Sequence, residues 1–276
     1  MRFGICCGPG SFVQEAKGQA AEAVPRMMET LQEAGADYVE FTVGSLNPEG
    51  PEEEFETLRE ALRPFSLRVE AFNSFIPGTY PITGPHADGP AALEYCRKAL
   101  RRCKALGGEV VVLGSAGARR IPTGFSHAEG ERQFVAFCRM LGPVAESIGI
   151  EIAIEPLNSK EDNLVISVEH GARLVDEIGH PNIRLLADLY HISQEKEPLE
   201  HVAQAGARLV HTHCADLERV PPGFAPEGEE DFLGFFRNLR RAGYDRRCSF
   251  EGIFDHPQLQ AKPLIGLLRR RWKEAG

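Results

Sequence analysis

Six glycines at the ends of amphipathic stretches constrain this chain more than any other feature. The stretches close at Ala34-Gly35, Leu106-Gly107, Ile148-Gly149, Ile178-Gly179, Ala205-Gly206 and Ala242-Gly243. A glycine just past a helix readily takes the left-handed conformation that ends the last turn. After each comes a short apolar run: Tyr38-Val39, Val110-Val111-Val112-Leu113, Ile150 to Ile154, Ile183 to Ala187, Leu209-Val210 and Ser249-Phe250. Such runs are the pattern of parallel strands buried on both faces. From Gly107 to Gly243 four units occupy 136 residues, a mean of 34. The 72 residues between Gly35 and Gly107 hold two units, with a strand over Leu67 to Phe72 in the middle.

Phe3-Gly4-Ile5-Cys6 brings the count to eight strands, each followed by a helical pattern. The spacing predicts helices over Ala20–Glu33, Pro51–Leu62, Ala91–Ala105, Glu129–Ser147, Val168–Glu177, Leu199–Ala205, Glu230–Arg241 and Gln258–Lys273. Eight such units are what a closed (β/α)8 barrel, an α/β TIM barrel, requires. The chain is 276 residues long. A rule of one domain per ~150 residues would divide it, but α/β barrels of ~250 residues form one domain. No linker or low-complexity segment marks a second, so residues 1–276 read as a single barrel domain. The competing architecture, an open doubly wound sheet, calls for a glycine-rich phosphate loop. Gly8-Pro9-Gly10 follows the first strand, but its proline removes a donor and no third glycine stands in the right place. One long connection, Arg219 to Gly228, is rich in Pro and Gly and reads as a functional loop after the seventh strand.

In a barrel of this kind the chemistry sits at the C-terminal ends of the strands. The residues there are Glu40, Asn73, Gly114-Ser115, Glu155, Asp188, His213 and Glu251, on strands two to eight. Strands five to eight each deliver a side chain able to bind metal: Glu155, Asp188, His213 and Glu251. Three carboxylates and one imidazole suit Mn²⁺, Mg²⁺ or Co²⁺ better than a thiolate-seeking metal. Without a cation they would repel one another near the barrel axis. A lone acid after a strand is commonly a helix N-cap, but four on consecutive strands point to a shared ion. His211 and His213 lie two apart and share a face, so periodicity does not choose between them; His213, nearer the strand end, is preferred.

Composition narrows the partners. Thirty-one Lys and Arg against 40 Asp and Glu give a net charge of −9, which argues against a surface that neutralises many phosphates and so against nucleic acid. No run of 18 apolar residues spans a membrane, and Met1 to Cys7 is too short before its Gly-Pro-Gly break for a signal peptide. The seven cysteines are scattered, without a Cys-x-x-Cys pair. Free thiols of this kind fit a reducing cytoplasm.

The stretches Glu155-Pro156-Leu157-Asn158-Ser159-Lys160-Glu161-Asp162-Asn163, Ala187-Asp188-Leu189-Tyr190-His191 and His211-Thr212-His213, with Arg219 and Phe250-Glu251 beyond them, resemble the sugar isomerase/epimerase superfamily of xylose-isomerase-like TIM barrels. The pattern is most similar to the D-tagatose and D-psicose 3-epimerase group of ketose 3-epimerases. The resemblance is strong from Val110 to Glu251 and architectural before that. It implies one divalent metal ion, Mn²⁺ first and otherwise Mg²⁺, Co²⁺ or Zn²⁺, held by Glu155, Asp188, His213 and Glu251. It makes Glu155 and Glu251 the acid/base pair. Its substrate-positioning residues fall on Glu161, His191 and Arg219, with the family's spacings kept. The sugar-facing aromatic residues of the family have no match in the N-terminal half.

The expected reaction is isomerisation or epimerisation of a small sugar or sugar-derived keto compound, by proton transfer through a metal-stabilised enediolate. Two glutamates from strands five and eight could flank the reacting carbon, one as base and one as acid. Inosose-type dehydratases and hydroxypyruvate isomerases of the same superfamily could share the ligand set. An apurinic endonuclease on this barrel would need further histidines at strand ends two, three and six and a basic groove. A non-catalytic binding protein on the scaffold would have no use for both glutamates. The implied partner is a small sugar, and the implied assembly a homodimer or homotetramer. Glu40 and Asn73 would hydrogen-bond sugar hydroxyls or cap the helices that follow. Arg119-Arg120 would contact a substrate phosphate or be solvated. Trp272, in the last helix, is expected to serve packing.

Overall fold

All six punctuating glycines take positive φ, between 55° at Gly206 and 99° at Gly107, so the chain turns where the sequence places the breaks. The structure, a computed structural model, describes residues 1–9, 20–226 and 229–276. Gly10 and Phe12, and Glu227 and Gly228 of the long loop, lie outside them.

The strands are β1 (Arg2–Cys6), β2 (Tyr38–Thr42), β3 (Val69–Asn73), β4 (Val110–Leu113), β5 (Glu151–Ile154), β6 (Ile183–Asp188), β7 (Leu209–Cys214) and β8 (Arg247–Phe250). All are parallel and pair in sequence order, with β8 closing on β1. This is the expected (β/α)8 barrel. The expected helices appear, with ends moved by one or two residues, as α1 (Ala20–Glu33), α2 (Glu52–Leu62), α3 (Gly89–Ala105), α5 (His127–Ile148), α6 (Val168–Ile178), α8 (Glu200–Ala205), α9 (Phe232–Arg241) and α10 (Pro257–Glu274). Two short helices were not expected, α4 (Ala116–Arg119) and α7 (Leu189–Glu195). Four of the main helices start where a side chain accepts a free N–H group of the first turn. Asp88, Ser126, Ser167 and Asp231 do this for α3, α5, α6 and α9.

Strand alternation separates two cores. Val111 and Leu113 face the helices and join the large outer cluster. Val110 and Val112 face inward with Tyr38, Ala71, Ala153, Leu186 and Val210. The residue two positions further along a strand shares its face. Glu40 thus follows Tyr38, Asn73 follows Ala71, Glu155 follows Ala153 and Asp188 follows Leu186. An apolar plug therefore lies beneath a polar layer toward the C-terminal ends. Register shifts occur beside two of these positions, at Val39/Glu40 and at Leu185/Leu186, where a bulge re-aims a side chain. Trp272 packs edge-on to Phe236 with the Arg240 guanidinium over its ring, as expected of a packing residue. No helix among the described residues is long and apolar enough to cross a membrane.

Candidate metal centre

Glu155 follows β5 directly, Asp188 ends β6, His213 is next to last in β7 and Glu251 follows β8. Strand pairing puts Asp188 opposite His213, and His213 opposite Ser249. One donor atom from each of Glu155, Asp188, His213 and Glu251 lies within 4.8 Å of the others. The structure thus brings together all four residues that the sequence proposes as ligands. His213 Nδ1 faces Glu155 Oε1 at 3.1 Å and Glu251 Oε2 at 3.5 Å.

Asp188 reconciles its two sequence readings. Oδ1 accepts from the Tyr190 N–H at 2.9 Å and caps α7. Oδ2 is buried without a hydrogen-bond partner, which is costly for a polar atom unless something else satisfies it. Burial, with the charges of Glu155 and Glu251, pushes the Asp188 carboxyl up to about 8. Burial and the Glu251 charge also raise Glu155. Burial opposes ionisation of Glu251 as well, but the His213 imidazole and Arg219 outweigh it and hold Glu251 down to about 2. Two buried carboxylates and a half-buried one around a buried imidazole, with an orphaned oxygen among them, are a donor set that a divalent cation fits. Oxygen donors with one nitrogen match the hard-to-borderline divalent ions.

Glu161, His191 and Arg219 form one contiguous group beside these four. The Asn158 N–H donates to His191 Nδ1 at 3.1 Å, which leaves Nε2 turned toward the four. That nitrogen lies 3.6 Å from Asp188 Oδ2 and 3.1 Å from Arg219 NH2. Burial and the neighbouring guanidinium lower His191 to about 3. The Asn158 side chain also donates to Glu161 Oε1 at 2.8 Å. Arg219 reaches Glu161 Oε1 and Glu251 Oε2, each at 3.6 Å, and lies over the Tyr190 ring at 4.7 Å. Its backbone is left-handed, as is that of Glu218 (φ 62° and 60°), a costly conformation for non-glycine residues that persists only where the surroundings enforce it. Here they do. Buried Asp216 accepts from the N–H groups of Leu217, Gly223 and Glu230, and the Arg219 carbonyl accepts from Ile253 N–H at 2.8 Å.

Two residues depart from expectation, and Asn73 loses one of its two readings. Arg119 is neither solvated nor available to a phosphate; it is wholly buried. Its Nε donates to Asp162 Oδ2, NH1 to the Leu113 carbonyl and NH2 to the Glu155 carbonyl, each at 2.7 Å. It therefore ties the end of β4 to the segment carrying Glu155. Glu40 caps no helix and is fully buried, accepting from His211, His213 and Ser249. Glu40, His211 and His213 form a second group of close donors, but their facing atoms are already bonded to one another. Asn73 caps nothing either: Nδ2 donates to Glu251 Oε1 at 2.5 Å and to Cys6 Sγ at 2.8 Å. The sequence assigns neither Asn158 nor Cys6 a role in the site. Asn158, a polar residue three before Glu161 in the segment after β5, carried the only available signal.

Comparison with known proteins agrees with this architecture. Residues 28–271 match the family described as Xylose isomerase-like TIM barrel. An L-ribulose 3-epimerase of Methylomonas sp. (strain DH-1) is 29% identical over 222 residues, 80% of this chain and 75% of that one. A ketose 3-epimerase of Arthrobacter globiformis is 24% identical over 262 residues, 92% of this chain and 86% of the other. The solved structure of a D-psicose 3-epimerase in the presence of D-fructose superposes with a TM-score of 0.83 at 17% identity, covering 100% of both chains, a likeness of fold. With 244 of its 276 residues (28 to 271) matched, the chain belongs to the xylose isomerase-like TIM barrel family.

Proposed function

We propose that the chain is a single-domain, divalent-metal-dependent epimerase or isomerase of a ketose or sugar-derived keto compound, in which Glu155 and Glu251 carry the proton. The observation that carries this reading is the convergence of Glu155, Asp188, His213 and Glu251 from four consecutive strand ends, with one donor atom from each within 4.8 Å of the others. Within that group Glu155 and Glu251 face the same imidazole nitrogen, at 3.1 and 3.5 Å. The relatives' names, ketose 3-epimerase and L-ribulose 3-epimerase, support the substrate class and reaction.

Glu155, Asp188, His213 and Glu251 would hold the cation. A divalent ion there would draw electron density from a carbonyl and neighbouring hydroxyl oxygen, making the hydrogen on the carbon between them acidic. The ionised Glu251, oriented by Asn73 Nδ2, serves as the base on one face of that carbon. Glu155 returns a proton on the other face. His191 offers its Nε2–H and Arg219 its guanidinium to substrate oxygens, and Glu161 accepts from a hydroxyl. Arg119 holds the main chain of Glu155, so that the two carboxylates keep their separation.

Mn²⁺ is the ion this reading puts first. The cytoplasm is the compartment it favours, in keeping with seven free cysteines, six of them buried. The assembly it takes is a homodimer or homotetramer. The test is a screen of free and phosphorylated ketoses with Mn²⁺, Mg²⁺, Co²⁺ and Zn²⁺, with elemental analysis of protein purified without chelator. Near-stoichiometric metal and conversion of at least one ketose are expected. A protein that binds none of the four ions, or one that is loaded and converts no ketose, would overturn the reading.

A further inference from the structure

Glu40 is fully buried beside an interior plug of apolar side chains. An ionised carboxylate in such a place is costly unless donors surround it. Three do. His213 Nε2 donates to Oε1 at 2.9 Å, while His211 Nε2 and Ser249 Oγ donate to Oε2 at 2.7 and 2.6 Å. The Tyr38 hydroxyl lies 2.8 Å from Ser249 Oγ, and the Tyr38 ring fits because β1 has Gly4 beside it, where a Cβ would overlap the ring. Side chains from β2, β7 and β8 are thus arranged about one carboxylate that is not a member of the four-residue group.

His213 joins the two layers. Its Nδ1 faces Glu155 and Glu251, and its Nε2 faces Glu40. An imidazole that ligates through one nitrogen must carry its proton on the other, and that N–H needs an acceptor. We propose that Glu40 is a positioning residue for the metal centre: by accepting the Nε2–H of His213 it holds that ring in the tautomer and orientation that present Nδ1 to the cation. His211 and Ser249 bond the second oxygen and fix the plane of the carboxylate. This inference rests on the reading of His213 as a ligand.

The experiment measures Mn²⁺ affinity by titration calorimetry on the full chain and its Glu40→Leu, Glu40→Gln and His213→Ala variants. Circular dichroism and thermal melting check the fold, and the visible spectra of the Co²⁺-loaded proteins report the ligand field. Losing such an outer partner weakens metal binding by about 10–100-fold. Glu40→Leu should show that loss and a shifted Co²⁺ spectrum. Glu40→Gln, whose amide oxygen can still accept from Nε2–H, should recover most of both. In the Mg²⁺-loaded wild-type protein, ¹⁵N NMR of labelled histidine should find His213 protonated on Nε2. That measurement needs no variant to fold. A proton on Nδ1 there would overturn the inference, as would a folded Glu40→Leu protein binding Mn²⁺ within twofold of wild type. If His213→Ala leaves Mn²⁺ binding intact, the ligand reading and this inference fall together. If His213→Ala abolishes binding and Glu40→Leu does not weaken it, the role of Glu40 alone is overturned.

Discussion

Gly114, just past β4, makes room for the Glu155 carboxylate, and Gly114→Ala isolates that role. A Cβ built on Gly114 would overlap Glu155 Oε2 and would lie 3.4 Å from Glu155 Cδ and 3.6 Å from Leu157 Cδ2. Only the carboxylate oxygen is in the way, and it is the far end of a side chain. The backbone at Gly114 is not in the left-handed region, so alanine is free to adopt it. Ordinary non-bonded contact begins near 3.4 Å, so relieving the overlap moves the Glu155 carboxylate by on the order of 1 Å, a displacement that can cost ~10²-fold in rate. The same substitution removes freedom from the unfolded chain, which stabilises by about 0.4–1 kcal/mol where the native conformation accepts alanine. The expected signature is a drop of roughly 10²-fold in kcat/KM and weakened Mn²⁺ affinity, with a thermal midpoint unchanged or higher. Steady-state kinetics on the ketose found by the screen, calorimetric Mn²⁺ titration and thermal melting read the three quantities. Activity and Mn²⁺ affinity both within twofold of wild type would refute the packing argument.

His191→Ala and Arg219→Ala should raise KM or lower kcat with metal content intact, as elemental analysis would check; loss of metal from His191→Ala would make it a ligand. Arg119→Met strands Asp162 as an uncompensated buried charge, so chemical denaturation should show a loss of about 3–5 kcal/mol; a loss below about 1 kcal/mol would remove Arg119 from the scaffold. Metal-free protein should melt at lower temperature as pH rises from 7 to 9. Asp188, pushed up to about 8 by burial and its acidic neighbours, and His213, raised against burial by Glu40 and Glu251, bind protons more tightly folded than unfolded. Their contribution is whole below their unfolded values and is lost as pH passes their folded ones. Burial keeps His191 and His211 neutral in the fold, and both have finished titrating in the unfolded chain above about pH 7, so they add no slope there. Five cysteines whose thiols burial raises, and Cys214, raised by its Cys248 hydrogen bond and burial, add the same sign above about pH 8, where unfolded thiols ionise. Saturating Mn²⁺ should therefore flatten the trend only between pH 7 and about 8; a metal-free midpoint that climbs over the range would contradict it.

The barrel was legible because strand and helix periods, and the glycines between them, are local properties. So was the polar layer: Glu155, Asp188, His213 and Glu251 each stand at a strand end that an apolar run announces. What escaped were partnerships set by closure of the sheet. Arg119 and Arg120 look alike in sequence, and only the arrival of Asp162, 43 residues later, draws the first inside. Glu40 meets His211 and His213 across separations of 171 and 173 residues, so it looked like a rim residue. The α7 helix was hidden because Asp188 is at once the last residue of β6 and the cap of that helix, which leaves no loop between them to see.

The proposed chemistry turns on whether Glu155 and Glu251 move the proton. Turnover in D₂O by the metal-loaded enzyme, followed by mass spectrometry and NMR of the product, asks this directly. Proton transfer through the carboxylates should place deuterium on the inverted or isomerised carbon. Glu155→Gln and Glu251→Gln should each lower kcat by about 10²–10⁴-fold, as expected for a lost general acid or base. Unlabelled product formed at full turnover would mean that hydrogen travels within the substrate, and would contradict the two-glutamate mechanism.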